Sequence, residues 1–230
     1  MTASPPADRV VVCVFDGLRA DMVTPELTPN LVRLARRGVW HREARSVFPS
    51  VTRVATTSIA TGAPPSVHGI VGNAFLFPEV TRDHVLDTGL AADIALAEAT
   101  LSGRLVTAPT FGDLLAAAGK SLAIVHTGSA GSAYLLNPRA KANGHWTFSI
   151  LGHEGTATPH AVDEVTARFG PLPARTLPRF EEITYAARVL AEHVIGALDP
   201  DVALVWFNEP DTSGHYRGCL LYTSPSPRDS

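Results

Sequence analysis

Four polar residues of this 230-residue chain stand directly after apolar runs or tight turns: Asp16, Thr52, Asp211 and His215. Asp16 closes the run VVVCVF, and Thr52 follows Pro49-Ser50-Val51 at the head of a stretch rich in Thr, Ser and Ala. Asp211 and His215 lie in NEPDTSGH, directly after VALVWF. A hydroxyl at a helix start meets unpaired N–H groups and the positive end of the helix dipole, which suits it to an anion and to attack at phosphorus. Carboxylate and imidazole donors beside such a hydroxyl suit zinc or a similar divalent ion. Two ions held close together clamp an in-line displacement at phosphorus, one lowering the pKa of the nucleophile and the other polarising a substrate oxygen. An isolated Asp-x-x-x-His is most often surface decoration, and an Asp after a strand can simply cap a turn. Their joint occurrence points to chemistry.

The elements that must position these residues follow from the apolar pattern. Val10–Phe15 predicts a parallel strand buried on both faces, with Asp16 at its carboxyl end, where open α/β sheets place ligands. Thr28-Pro29 predicts a helix start, with Leu31, Leu34 and Ala35 on the apolar side and Gly38 as the stop. Residues 39–48 read as an extended segment feeding a helix over 52–60, then a Pro-Pro loop and a turn at His68-Gly69. His68 reads as a turn-stabilising side chain rather than a ligand. Further on, 75–85 reads as loop, 91–99 and 107–118 as helices, 122–125 as a strand and 126–132 as a Gly/Ser-rich loop. Residues 146–150 fit a strand in an inserted hairpin, and Pro171, Pro173 and Pro178 mark a surface connection. A long amphipathic helix over 179–198 and a strand over 202–207 complete the pattern. The alternation predicts an α/β fold: a mostly parallel sheet flanked by helices on both faces.

Composition narrows the classes. With 45% apolar and 18% charged residues the chain is globular, long enough for a sizeable core and most simply one domain. A net charge of −3, with no basic cluster beyond the helix face at Arg33, Arg36 and Arg37, predicts no nucleic-acid surface. No apolar run reaches the roughly 18 residues of a membrane span, and the first residues lack the pattern of a signal peptide, so the expected location is cytoplasmic. Cys13 and Cys219 lie far apart, and Cys13, inside an apolar run, reads as a reduced interior thiol.

Taken together, VVVCVFDGLRADM, FPSVTR…SIATGAPPSVHGIVGN and NEPDTSGH resemble the ordered motifs of the alkaline phosphatase superfamily. The resemblance is strongest to the type I phosphodiesterase/nucleotide pyrophosphatase group, which includes phosphonoacetate hydrolases. It covers nearly all of residues 10–218 and implies that residues 1–218 form the N-terminal part of a single alkaline phosphatase-like catalytic domain. It further implies hydrolysis of phosphodiester or nucleotide pyrophosphate bonds in a small-molecule phosphate ester or phosphonate, with two divalent metal ions, zinc by preference. In that reading Asp16 binds one metal, Thr52 is the nucleophile on the same metal through a phosphothreonine intermediate, and Asp211 and His215 bind the other. Phosphonate hydrolases and phosphomonoesterases of the superfamily are the alternatives. From another class, a non-catalytic α/β module would keep only the anion-binding helix start at Thr52.

The chain also departs from the pattern. Many relatives place an asparagine one to three residues past the nucleophile; here those positions are Arg53, Val54 and Ala55. Arg53 either supplies a bidentate phosphate contact instead or faces solvent. Phosphonoacetate hydrolases carry lysines after the strand corresponding to 122–125, and HTGSAGSAYLL has none, which counts against phosphonoacetate. Family members continue past Asp-x-x-x-His to an Asp-His pair and a later His that complete the two metal sites. Here residues 219–230, CLLYTSPSPRDS, change in character and read as a non-native tail. The expectation is a fold incomplete at the C-terminus, with an exposed sheet edge, weak zinc binding and little turnover.

Overall fold

The computed structural model describes residues 9–217; the tail expected at 219–230 lies outside the described residues. The strands are β1 (Val10–Phe15), β2 (Ala74–Phe75), β3 (Leu86–Asp87), β4 (Leu122–His126), β5 (Trp146–Ser149) and β6 (Val202–Phe207). Four of them make one parallel sheet in the order β1-β6-β4-β5, while β2 and β3 pair antiparallel apart from it. The helices are α1 (Pro29–Arg37), α2 (Thr52–Thr61), α3 (Pro65–His68), α4 (Ala91–Thr100), α5 (Phe111–Ala117) and α6 (Ala130–Leu136). They continue with α7 (His160–Phe169), α8 (Phe180–Arg188), which runs on as a π-helical segment Val189–Leu198, and α9 (Asp211–Arg217).

Strand alternation divides the core into two layers. Leu122, Ile124, Leu204 and Trp206 point to the side covered by Leu136 of α6 and by Phe111 and Leu115 of α5. Ala123, Val125, Ala203, Val205 and Phe207 point the other way, with Trp146 and Phe148, against α7, α8 and the π-helical segment. A separate apolar cluster ties Val54 of α2 to Ile94 and Ala97 of α4, Leu135 of α6 and Leu86 of β3. It fixes the direction of α2, and with it the position of Thr52.

The α/β architecture is as the pattern predicts, and several local expectations are corrected. Among the described residues β1 is an edge strand rather than one buried on both faces: Val10 and Val11 are 47% and 45% exposed. Cys13 is likewise exposed instead of interior. No residue between 9 and 53 is buried, α1 included, and residues 39–48 form no strand. β5 is no hairpin arm but pairs parallel with β4 at the opposite edge. The helix expected from residue 107 begins at Phe111, because Thr110 and Asp113 form a reciprocal capping box there.

The Gly/Ser-rich stretch expected as loop over 126–132 contains the start of α6. Ser129 caps it by accepting from the Ser132 N–H. Its glycine composition has a packing cause: a Cβ on Gly131 would lie 1.7 Å from the Thr88 carbonyl oxygen. Among the described residues no helix is long and apolar enough to cross a membrane.

This division between packed layers and an open first segment has a measurable consequence. Phe148→Ala, at a fully buried position, should cost about 3–5 kcal/mol in urea unfolding. Leu34→Ala in α1, 65% exposed, should change stability by no more than about 0.5 kcal/mol. Comparable losses would place α1 in the core after all.

Candidate active site

Because the sheet is parallel, β1, β4 and β6 deliver their carboxyl ends to one edge, and the polar residues collect there. Asp16 is held between two strand ends: its N–H donates to the Phe207 carbonyl at 2.9 Å, and its carbonyl accepts from the Asp211 N–H at 3.0 Å. Gly17 makes this approach possible. It has φ +71°, and a Cβ there would sit 2.8 Å from the Asp211 Cα.

Thr52 opens α2, and its hydroxyl donates to Asp16 Oδ2 at 3.4 Å. The indole Nε1 of Trp206 donates to the same oxygen at 3.3 Å. Burial, and after it the nearby Asp211 carboxylate, push the Asp16 carboxyl above the usual carboxylate range. Asp211 opens α9, and His215, one turn on, lies with Nε2 3.4 Å from Asp211 Oδ1.

The start of α9 is fixed from behind. Thr127, directly after β4, donates to Asn208 Oδ1 at 2.6 Å, and Asn208 Nδ2 donates to Thr212 Oγ1 at 2.9 Å. Glu209 accepts from the Ser213 N–H at 3.0 Å and from the Arg179 N–H at 3.1 Å, joining α9 to the chain entering α8.

Asp16, Thr52, Asp211 and His215 line one cavity of about 530 Å³, within the range of small-molecule sites. A cavity of similar size, about 540 Å³, between α1 and Trp40 carries no such set of polar groups. The donor chemistry fits divalent cations: two carboxylates, one with a strained ionisation, with a hydroxyl and an imidazole beside them. The donors come in pairs. Among the described residues no group of three or more His, Cys, Asp or Glu side chains converges where a metal could be held.

Arg53 reaches the cavity, but its guanidinium is engaged: Nη2 lies 3.2 Å from Asp87 Oδ1, and Nε donates toward Thr88 at 3.4 Å. His68 is buried in its turn. Its Nδ1 accepts from the Ile70 N–H at 3.1 Å, and its Nε2 lies 2.8 Å from Ser58 Oγ.

Sequence reasoning looked for an amide donor immediately after Thr52 and missed Asn73. That residue lines the cavity, and its Oδ1 accepts the Arg53 N–H at 3.0 Å, which leaves Nδ2 as its free donor. The signal was present in the motif FPSVTR…SIATGAPPSVHGIVGN, whose last residue is Asn73, but only folding brings it to the start of α2. Ser129, Ser132, Arg175 and Arg179 also line the cavity and were missed, Arg175 because it fell in the stretch read as surface connection and Arg179 because it was read as the start of an amphipathic helix.

A family model described as type I phosphodiesterase / nucleotide pyrophosphatase matches residues 10–229. An uncharacterized pyrophosphatase/phosphodiesterase of Schizosaccharomyces pombe is 41% identical over 76 residues, 33% of this chain and 16% of that protein. The mouse bis(5'-adenosyl)-triphosphatase enpp4 is 35% identical over 78 residues (34% of this chain, 17% of that one). Its human counterpart is 32% identical over 80 residues, 35% of this chain and 17% of the relative. The matched stretch thus spans about a sixth of each of these relatives.

A buried base at the end of β4, two residues before the cavity-lining Gly128, has a testable titration. His126 closes β4, stacks on Trp206 with centroids 6.0 Å apart, and accepts the Gly128 N–H at Nδ1. Burial pushes its pKa from 6.5 down to about 3, so the folded chain keeps it neutral where the unfolded chain takes up a proton. Stability therefore falls as pH drops below 6.5, by up to about 1.4 kcal/mol per pH unit from this group. His126→Asn, which keeps an acceptor for Gly128, should flatten the pH dependence of the urea midpoint between pH 6 and 4. An unchanged slope would mean that His126 does not titrate on unfolding.

Proposed function

Since the chain belongs to the type I phosphodiesterase / nucleotide pyrophosphatase family, we propose that it carries the Thr52 half-reaction of a metal-dependent phosphodiester or pyrophosphate hydrolase. The observation that carries this reading is the meeting of Thr52 with Asp16, and of both with Asp211 and His215, in one cavity. Asp16 with Thr52 would hold one divalent ion, zinc by preference, and Asp211 with His215 the other. Bound ions would lower the pKa of the hydroxyl and offset charge on the phosphoryl oxygens.

The residues themselves supply position and proton direction. The tertiary packing of α2 aims Thr52 Oγ1 into the cavity, and its proton points at Asp16 Oδ2. Attack forms the Oγ1–phosphorus bond and breaks the bond to the leaving oxygen, which departs with a proton; water then cleaves the phosphothreonine. Asn73 Nδ2 and the first-turn N–H groups of α2 other than that of Arg53, which Asn73 accepts, are the donors suited to the phosphoryl oxygens. The relatives' names, a pyrophosphatase/phosphodiesterase and bis(5'-adenosyl)-triphosphatases, support small phosphate esters and anhydrides as the substrate class.

Catalytic zinc normally takes three protein ligands and an open position. Among the described residues each pair supplies two donors, so zinc should bind more weakly than at a three-ligand site. Asp16→Ala and Asp211→Ala should each weaken one of the two calorimetric binding events. At millimolar zinc, slow release of nitrophenol from bis(p-nitrophenyl) phosphate should be lost in Thr52→Ala. Zinc-stimulated turnover that survives Thr52→Ala contradicts the nucleophile. Anion binding with no zinc-stimulated turnover at all favours the non-catalytic module.

A further inference from the structure

The cavity holds a second cluster that the Thr52 chemistry does not use. Arg175 and Arg179, from the segment leading into α8, line it together with Thr52. Behind them lies Glu182, with a side chain only 1% exposed. Arg179 Nη1 donates to Glu182 Oε1 at 2.9 Å, and Arg175 Nε lies 3.8 Å from the same oxygen.

A carboxylate this deeply buried is costly unless its charge is compensated, and two guanidinium groups converge on it. Two guanidinium groups share one carboxylate, Glu182, while the Glu209 carboxylate is taken up by backbone N–H groups of Arg179 and Ser213. Arg179 Nε is buried without a hydrogen-bond partner, and Glu182 Oε2 is also unpartnered. Arg179 is further tethered through its backbone N–H to Glu209, two residues before Asp211, so its position is coupled to the start of α9. The Arg175 side chain is 62% exposed, and among the described residues Glu182 is its one ion-pair partner.

These features differ from those of Arg53, whose charge is already matched by Asp87. Planar guanidinium groups with free N–H donors fit phosphate oxygens in pairs, and a fixed anchor reduces the ordering cost of binding. The cavity, at about 530 Å³, has room for more than the one phosphoryl group that Thr52 would attack.

We propose that Arg175 and Arg179, anchored by Glu182, form a subsite for a second phosphate of the substrate, beside the one facing Thr52. Glu182 is the positioning residue, and the two arginines set specificity for phosphate chains over simple diesters. This rests on the reading of the Thr52 site given above, but its test needs no turnover.

The test is titration of the chain with inorganic pyrophosphate and with inorganic phosphate, in the presence of EDTA, followed by phosphorus-31 NMR. Pyrophosphate should bind the wild-type chain at least about tenfold more tightly than phosphate, a gap of about 1.4 kcal/mol. Arg175→Ala combined with Arg179→Lys should close that gap while changing phosphate affinity less than twofold. Arg175→Ala alone, at an exposed position where folding is not at stake, should reduce the pyrophosphate preference several-fold. Urea midpoints verify that the variants are folded. Parallel losses for both anions, an unchanged pyrophosphate preference in the variants, or no pyrophosphate binding overturns the subsite. Because hydrolysis is not read, failure of the Thr52 chemistry and failure of this subsite are separate results.

Discussion

The parallel pairing of β1 with β6 is the constraint on which the site depends. Register from Val10 with Val202 to Phe15 with Phe207 brings Asp16 level with the exit of β6, where its backbone carbonyl accepts the N–H that opens α9. Residues nearly 200 apart in sequence are thereby fixed to within one hydrogen bond, with Gly17 providing the clearance. Everything else in the cavity is arranged around that contact. α2 is aimed by its small apolar cluster, and the loop after β4 braces Asn208 through Thr127. An acid pair drawn together by backbone geometry, with Asp16 ionising reluctantly, calls for positive charge from a cation or a substrate clamp.

How much of this was legible in the sequence depended on the range of the signal. Strands β4 and β6 are continuous β-branched and apolar runs, and both are buried as such runs should be. β1 has the same signature and the opposite environment among the described residues, because burial is decided by neighbours that local pattern cannot specify. α6 was hidden by Gly131 and serines, whose presence reflects a close crossing with Thr88 rather than helix propensity. At the site, the residues that end strands were readable from their abrupt polarity. Asn73, Arg175 and Arg179 were not, since each reaches the cavity from a connection whose path is set by tertiary packing.

The first described segment is unlike the rest. β1, α1 and residues 39–48 present Val10, Val11, Leu34, Val39, Trp40 and Phe48 to the surface, and none of the described residues before Val54 is buried. On β1, the alternate residues Val11, Cys13 and Phe15 turn their backbone groups away from β6, toward the open side. An edge of this kind is a template for further pairing. It also lies next to Asp16, so whatever covers it bears on the site's burial and electrostatics. The scarcity of donors around Asp16 and the exposure of β1 are therefore neighbouring features of one face.

The central claim, that Asp16 with Thr52 and Asp211 with His215 are two cation-binding pairs in one cavity, is tested most directly by anomalous X-ray scattering from crystals of the chain soaked in millimolar zinc. The account predicts two peaks in the cavity, one bonded to Asp16 and Thr52 Oγ1 and one to Asp211 and His215, at about 2.0–2.2 Å from the ligating atoms. Zinc found only at surface histidines, with both pairs empty at that concentration, would contradict it.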